Sequence, residues 1–125
     1  MMNLVLYTAT TCPKCPKARE TVREVAKTLG WVEGRDFIEK LIDGENIKTE
    51  QVMELEGKPY HIVQDASKIT PQTAPCALAG KDFFIEALTL NIASVPSLVL
   101  ADGTIYRGEL PQKDQLIEKI RNMKV

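Results

Sequence analysis

Cys12 and Cys15 stand three positions apart in Cys12-Pro13-Lys14-Cys15, where an apolar run gives way to a helical pattern. At the first turn of a helix this spacing brings both sulfurs close enough to close a small disulfide ring and open it again. The thiolate, not the thiol, is the effective nucleophile. Unpaired backbone N–H groups and the helix dipole at a helix start favour a negative sulfur, so Cys12, first in the turn, is the expected attacking thiol. Lys14 and Lys17 add positive charge nearby, each worth well under about 1 kcal/mol across exposed water. Cys15, one turn further in and more shielded, suits a resolving thiol that attacks a mixed disulfide on Cys12. The expected chemistry is electron transfer by thiol–disulfide exchange.

Such a pair has to be held by a strand and a helix. Leu4-Val5-Leu6-Tyr7 is a continuous apolar run suited to a strand buried on both faces. Beyond the motif, Ala18, Val22, Val25, Ala26 and Leu29 recur as a helical stripe that Gly30 ends. Thr11 or Cys12 is expected at the cap, with Pro13 in the first turn, where its missing N–H costs little. The run from Asp36 to Ile42 is expected to be a second strand, and strand–helix–strand implies a right-handed crossover joining a parallel pair. Near the other end, Val95-Pro96 falls between a predicted helix over residues 81–91 and a strand, Ser97-Leu98-Val99-Leu100. A cis peptide there would turn the Val95 backbone toward the dithiol and leave its polar groups free to pair with an extended substrate. Ala101-Asp102-Gly103 between two apolar runs predicts a hairpin, and a final helix begins at about Gln112, with Leu116, Ile117, Ile120 and Met123 on one face.

The middle of the chain is less patterned. Residues 47–56 predict a short helix with Ile47, Val52 and Leu55 buried. Residues 57–75, with Pro59, Pro71 and Pro75, predict a largely irregular excursion.

The chain has 125 residues, 44% apolar and 26% charged, with a net charge of −1. This is the composition of one globular domain with a single sizeable core. Near-neutral charge and the lack of a basic stripe with interleaved aromatics argue against nucleic-acid binding. No stretch approaches the roughly 20 apolar residues of a membrane span, so no membrane partner is expected. Met1-Met2-Asn3-Leu4 lacks the pattern of a signal peptide. The expected compartment is the cytoplasm, where three cysteines are no structural disulfide framework and a Cys-x-x-Cys pair is redox-active or metal-binding.

Competing readings exist for each residue. Cys12, Cys15, Cys76 and His61 would make a closed Cys3His zinc module, although a second Cys-x-x-Cys is missing. Cys76 alone reads as a small buried hydrophobe, His61 as a loop residue, Tyr7 and the Phe83-Phe84 pair as packing.

The strand Leu4-Val5-Leu6-Tyr7 followed by Cys12-Pro13-Lys14-Cys15, then Val95-Pro96, the Asp102-Gly103 hairpin and a C-terminal helix resemble the thioredoxin and glutaredoxin superfamily. The likeness covers about residues 3–43 and 81–123. It implies a thioredoxin-like three-layer α/β fold with a central four-stranded mixed sheet, one domain over residues 1–125 and an insertion at about 44–80. Tyr7 five before Cys12, and no tryptophan ahead of the motif, look more like glutaredoxin. Arg107-Gly108-Glu109-Leu110-Pro111-Gln112-Lys113 resembles the end of thioredoxin, where glutaredoxins carry a Gly-Gly pair and a polar residue for glutathione. The resemblance implies a monomeric protein-disulfide reductase without a resident cofactor or metal. Cys12 would be the nucleophile and Cys15 the resolving thiol, and Pro13, Lys14, Val95, Pro96 and Gly108 would receive the substrate. Glutathione or a protein reductase would supply electrons to disulfide-containing proteins such as ribonucleotide reductase. A non-catalytic interaction domain of the same superfamily is the remaining alternative.

Overall fold

The computed structural model describes residues 3–10, 12–55, 57–70, 72–73, 75–80 and 82–123. The expected positions Thr11, Pro71 and Lys81 lie outside them. Over the described residues the fold is α/β: one seven-stranded mixed sheet with three α-helices.

The two ends of the chain build one half of the sheet. Strand β1 (Leu4–Thr8) leads through α1 (Cys15–Leu29) to β2 (Phe37–Leu41), which pairs with β1 in parallel, Leu4 opposite Phe37. Helix α1 stops at Gly30, whose φ of 72° is the left-handed conformation glycine takes without strain. Strand β6 (Ser97–Leu100) runs antiparallel to the other side of β1, and β7 (Ile105–Arg107) antiparallel to β6.

Side chains alternate across β1. Leu4 and Leu6 join Ala18, Val22, Val25 and Ala26 of α1, Leu98 and Leu100, and Leu116 and Ile117 of α3 (Lys113–Arg121) in the largest buried cluster. Val5 and Tyr7 face the other way, against Ala87 of α2 (Phe83–Thr89), Ile92 and Val99. Helices therefore cover both faces of this half.

The middle of the chain supplies three more strands, and here the expectations are corrected. Residues 51–55, expected as helix, are strand β3 (Gln51–Leu55), and residues 57–75 contain strand β4 (Lys58–Val63) and a 3-10 turn (Ala66–Lys68). With β5 (Cys76–Ala79) they extend the sheet beyond β2 in the order β3-β4-β5-β2-β1-β6-β7. The governing period is two: Met53 and Leu55, Tyr60 and Ile62 point into one cluster, while Val52 is 65% exposed. Pro59 is tolerated because β5 pairs with β4 only from His61 to Val63, leaving the proline on a stretch bonded on one side. Helix α2 also turns out shorter than expected, and the Phe83-Phe84 pair divides. Phe83 packs inward on Ile38 and Leu78, whereas Phe84 is 51% exposed together with Leu88.

Among the described residues no helix is long and apolar enough to cross a membrane.

Candidate active site

Cys12 and Cys15 come together at the head of α1, their sulfurs at disulfide-bonding distance and their Cα atoms 5.3 Å apart, within the range a disulfide requires. The helix starts later than expected. Lys14 is the N-cap, Cys15 the first helical residue, and Pro16, not Pro13, occupies the first turn. Cys12 sits on the preceding turn, closed by a hydrogen bond from the Cys15 N–H to the Cys12 carbonyl at 3.2 Å. Both residues are covered, Cys15 completely and Cys12 to all but 5%, in a small cluster with Ala9, Ile42 and Val95.

The Val95-Pro96 bond is cis. The Val95 carbonyl oxygen lies 3.7 Å from Cys12 Sγ. Pro96 continues into a cleft of about 480 Å³ beside the dithiol, lined by Pro13, Lys14, Lys17, Pro96 and residues 108–113. Gly108 has a φ of 80° and its N–H donates to the Pro96 carbonyl at 2.9 Å. A Cβ there would meet Ser94 Oγ at 3.0 Å, so the close approach of this strand end to the Pro96 loop favours glycine. Four of the five residues expected to receive substrate thus line one cleft, and the fifth, Val95, touches the thiol.

Two groups that the sequence reading passed over hold the loop ahead of Cys12. The Asp43 carboxylate accepts from the Thr10 N–H at 2.9 Å and from the Thr10 hydroxyl at 2.7 Å. Arg19 Nη2 donates to the Ala9 carbonyl at 2.9 Å while its Nε pairs with Glu39 Oε2 at 2.6 Å. Glu39 also accepts from Thr8 Oγ1 at 2.6 Å and from Arg23 Nη1 at 3.0 Å. Arg23 Nη2 reaches Glu33 and the Cys76 carbonyl, each at 3.0 Å. Two signals mark this set in the sequence. Cys15, Arg19 and Arg23 recur every fourth residue, one row of a helix, and Glu39 interrupts an apolar strand.

On the opposite face Tyr7 does more than pack. Its hydroxyl donates to Glu86 of α2, which also accepts from Lys40 Nζ at 2.6 Å. Burial first, and then the Glu86 carboxylate, push the Tyr7 phenol above its ordinary value. Burial opposes ionisation of Glu86, but the Lys40 and Tyr7 hydrogen bonds hold its carboxyl below the usual range.

The remaining candidates lie elsewhere. Cys76 is fully buried on β5, its thiol donating to the Thr73 carbonyl at 3.2 Å. Burial foremost pushes this thiol up, away from the reactive thiolate. His61 is its register partner on β4, a strand residue and not the loop residue expected. Among the described residues no three Cys, His, Asp or Glu side chains gather as metal ligands, so Cys76 and His61 do not join the Cys12–Cys15 pair. No protein-family model, curated protein or solved structure matches this chain.

Proposed function

We propose that this chain is a thiol–disulfide oxidoreductase that reduces protein disulfides through Cys12 and Cys15. The observation that carries the reading is the Cys12–Cys15 pair at disulfide distance on the turn into α1, with the Val95 carbonyl against Cys12 and an open cleft alongside. We read the block β2-β1-β6-β7, with helices on both faces, as a thioredoxin-like four-stranded core, and β3, β4 and β5 as strands inserted into it within one domain.

Cys12 attacks because it keeps some exposure and borders Pro13 and Lys14 of the cleft, whereas Cys15 has none. The Cys12 thiolate attacks one sulfur of the partner disulfide, forming a mixed disulfide and expelling the other sulfur as a thiolate. Cys15, as thiolate, then attacks the Cys12 sulfur, closing the Cys12–Cys15 bond and releasing the second partner thiol. Two electrons and two protons, from two glutathione molecules or from a protein reductase, restore the dithiol. The proposed setting is a reducing compartment, the cytoplasm, with the chain working as a monomer.

The test is a pair of variants. Cys12→Ser abolishes disulfide reduction, and Cys15→Ser accumulates a mixed disulfide that mass spectrometry detects on Cys12. Equal activity in both variants would remove the assigned roles. One zinc held per chain, in a protein inert toward disulfides, would overturn the reading altogether. Turnover with glutathione set against turnover with a thioredoxin reductase identifies the donor.

A further inference from the structure

Arg19 and Arg23 follow Cys15 on one row of α1, where residues four apart have Cβ atoms about 5–6 Å from each other. Arg19 is 1% exposed and Glu39 likewise. With Arg23 and Glu33 they make a ladder of two positive and two negative groups, Arg19–Glu39–Arg23–Glu33, with ion pairs of 2.6, 3.0 and 3.0 Å. Taking such charges out of water costs several kcal/mol per ion, and a buried pair is weak evidence of a stabilising role. Its placement calls for another account.

The ladder reaches the loop beside the dithiol at one end and the added strands at the other. Arg19 holds the carbonyl of Ala9, which packs against Cys12 and Cys15. The Tyr60 ring of β4 lies 4.9 Å from the Arg23 guanidinium and 5.5 Å from that of Arg19. The Cys76 N–H of β5 donates to Glu33 at 2.9 Å, and its carbonyl accepts from Arg23. Among the described residues Arg19 Nη1 and Arg23 Nε find no hydrogen-bond partner, although the two arginines and two glutamates balance in charge.

We propose that this ladder sets the redox equilibrium of the dithiol. Arg19 is a positioning residue that brings positive charge and loop geometry to Cys12 and Cys15, Glu39 is its counterweight, and β4 and β5 complete the ladder. The proposal rests on the dithiol reading above. Reduction of the Cys12–Cys15 disulfide by a reference dithiol brings two electrons and two protons to the pair and leaves the reference as its own disulfide. Where Cys12 stands as a thiolate, one proton is released again, and that negative sulfur is what the ladder acts on. Other charged groups on this side of the molecule are Lys14 and Lys17, both exposed, Glu109 and Lys113 of the cleft, and Asp43, committed to Thr10.

The test is the equilibrium of the purified protein with dithiothreitol at neutral pH, read by quenched alkylation and mass. Glu39→Gln leaves one excess positive charge and favours the reduced form by roughly tenfold, about 30 mV for a two-electron couple. Arg19→Met leaves one excess negative charge and shifts the equilibrium about tenfold the other way. The double variant, balanced again, returns to within about twofold of the wild type. Glu33→Gln, at the outer end, moves the equilibrium in the Glu39→Gln direction by about threefold. It tolerates solvent better, and with the balanced double variant it decides the matter if either buried single variant fails to fold.

Single variants that shift in the same direction, a double variant displaced further than either, or shifts all under about twofold would overturn the proposal. A wild-type pair with no reversible equilibrium at all would instead remove the dithiol reading beneath it.

Discussion

The two halves of the sheet meet α1 in different ways. Toward the block formed by the chain ends, α1 presents Ala18, Val22, Val25 and Ala26 to Leu4, Leu6, Leu98 and Leu116, a dry apolar contact. Toward the border with the strands from the middle of the chain it presents Arg19 and Arg23, met by Glu39 of β2, the Tyr60 ring of β4 and the backbone of Cys76 on β5. One helix carries two stripes, one held by burial of apolar surface and the other by balanced charge. An apolar contact that loses a side chain loses the burial there and gains a cavity, with no partner left charged. A charge ladder differs, because removing one partner leaves another buried and unpaired. The dithiol sits where both stripes begin, so its position depends on the first and its electrostatics on the second.

The contrast can be broken experimentally, with the largest effect in turnover. If redox chemistry belongs to the terminal block alone, Cys76→Ser keeps turnover within about twofold of wild type while Cys12→Ser abolishes it, since a buried thiol with a raised pKa reacts slowly. A large loss in Cys76→Ser would place a working thiol in the middle strands. Stability sharpens the comparison next. Arg19→Met loses about 3–5 kcal/mol in urea unfolding, and adding Glu39→Gln recovers part of that loss. Leu98→Ala, in the apolar stripe, costs about 2–5 kcal/mol, and no second substitution in that stripe restores it. Recovery absent in the first case would make the two stripes equivalent.

The smallest effect lies far from both stripes. Asp102 accepts from the Thr104 N–H at 2.9 Å and pairs with Lys119 of α3 at 3.0 Å, and these bonds, Thr104 first, lower its carboxyl to about 2 from 3.8. A depressed folded-state pKa stabilises the fold above the unfolded value and loses that contribution as pH falls through the folded one. The wild type should therefore lead Asp102→Asn slightly above pH 3.8, with the lead vanishing as pH falls toward 2. A gap that does not change with pH would show that the bonds from Thr104 and Lys119 do not favour the Asp102 carboxylate. Unfolding curves across that window measure it.

The terminal block was legible because its elements are strongly patterned: a four-residue apolar strand, a helical stripe ending in glycine, an Asp-Gly hairpin and an amphipathic last helix. Val95-Pro96 was legible as a special joint for the same reason, since a proline between a helix and a strand is informative wherever it falls. Strands β3 and β4 were not. Their inward residues, Met53, Leu55, Tyr60 and Ile62, alternate with the polar Glu54 and His61 on short strands, and β3 borders only one neighbour. Over so short a window Ile47, Val52 and Leu55 satisfy a helical spacing equally well, and Pro59 reads as a strand breaker until its one-sided pairing is known.

By itself the sequence determined the local pieces: where the dithiol lies, that a strand precedes it and a helix follows, and which residues turn the last hairpin. These depend on neighbours a few positions apart. Only the tertiary structure decided that Pro13, Lys14, Pro96 and Gly108 share a cleft, that the middle of the chain joins the same sheet, and that Arg19, Glu39 and Arg23 form one buried ladder. The physical reason is that an arginine on a helix and a glutamate on a strand look like solvated surface until the fold removes water from both. Their charges then have to be settled between them.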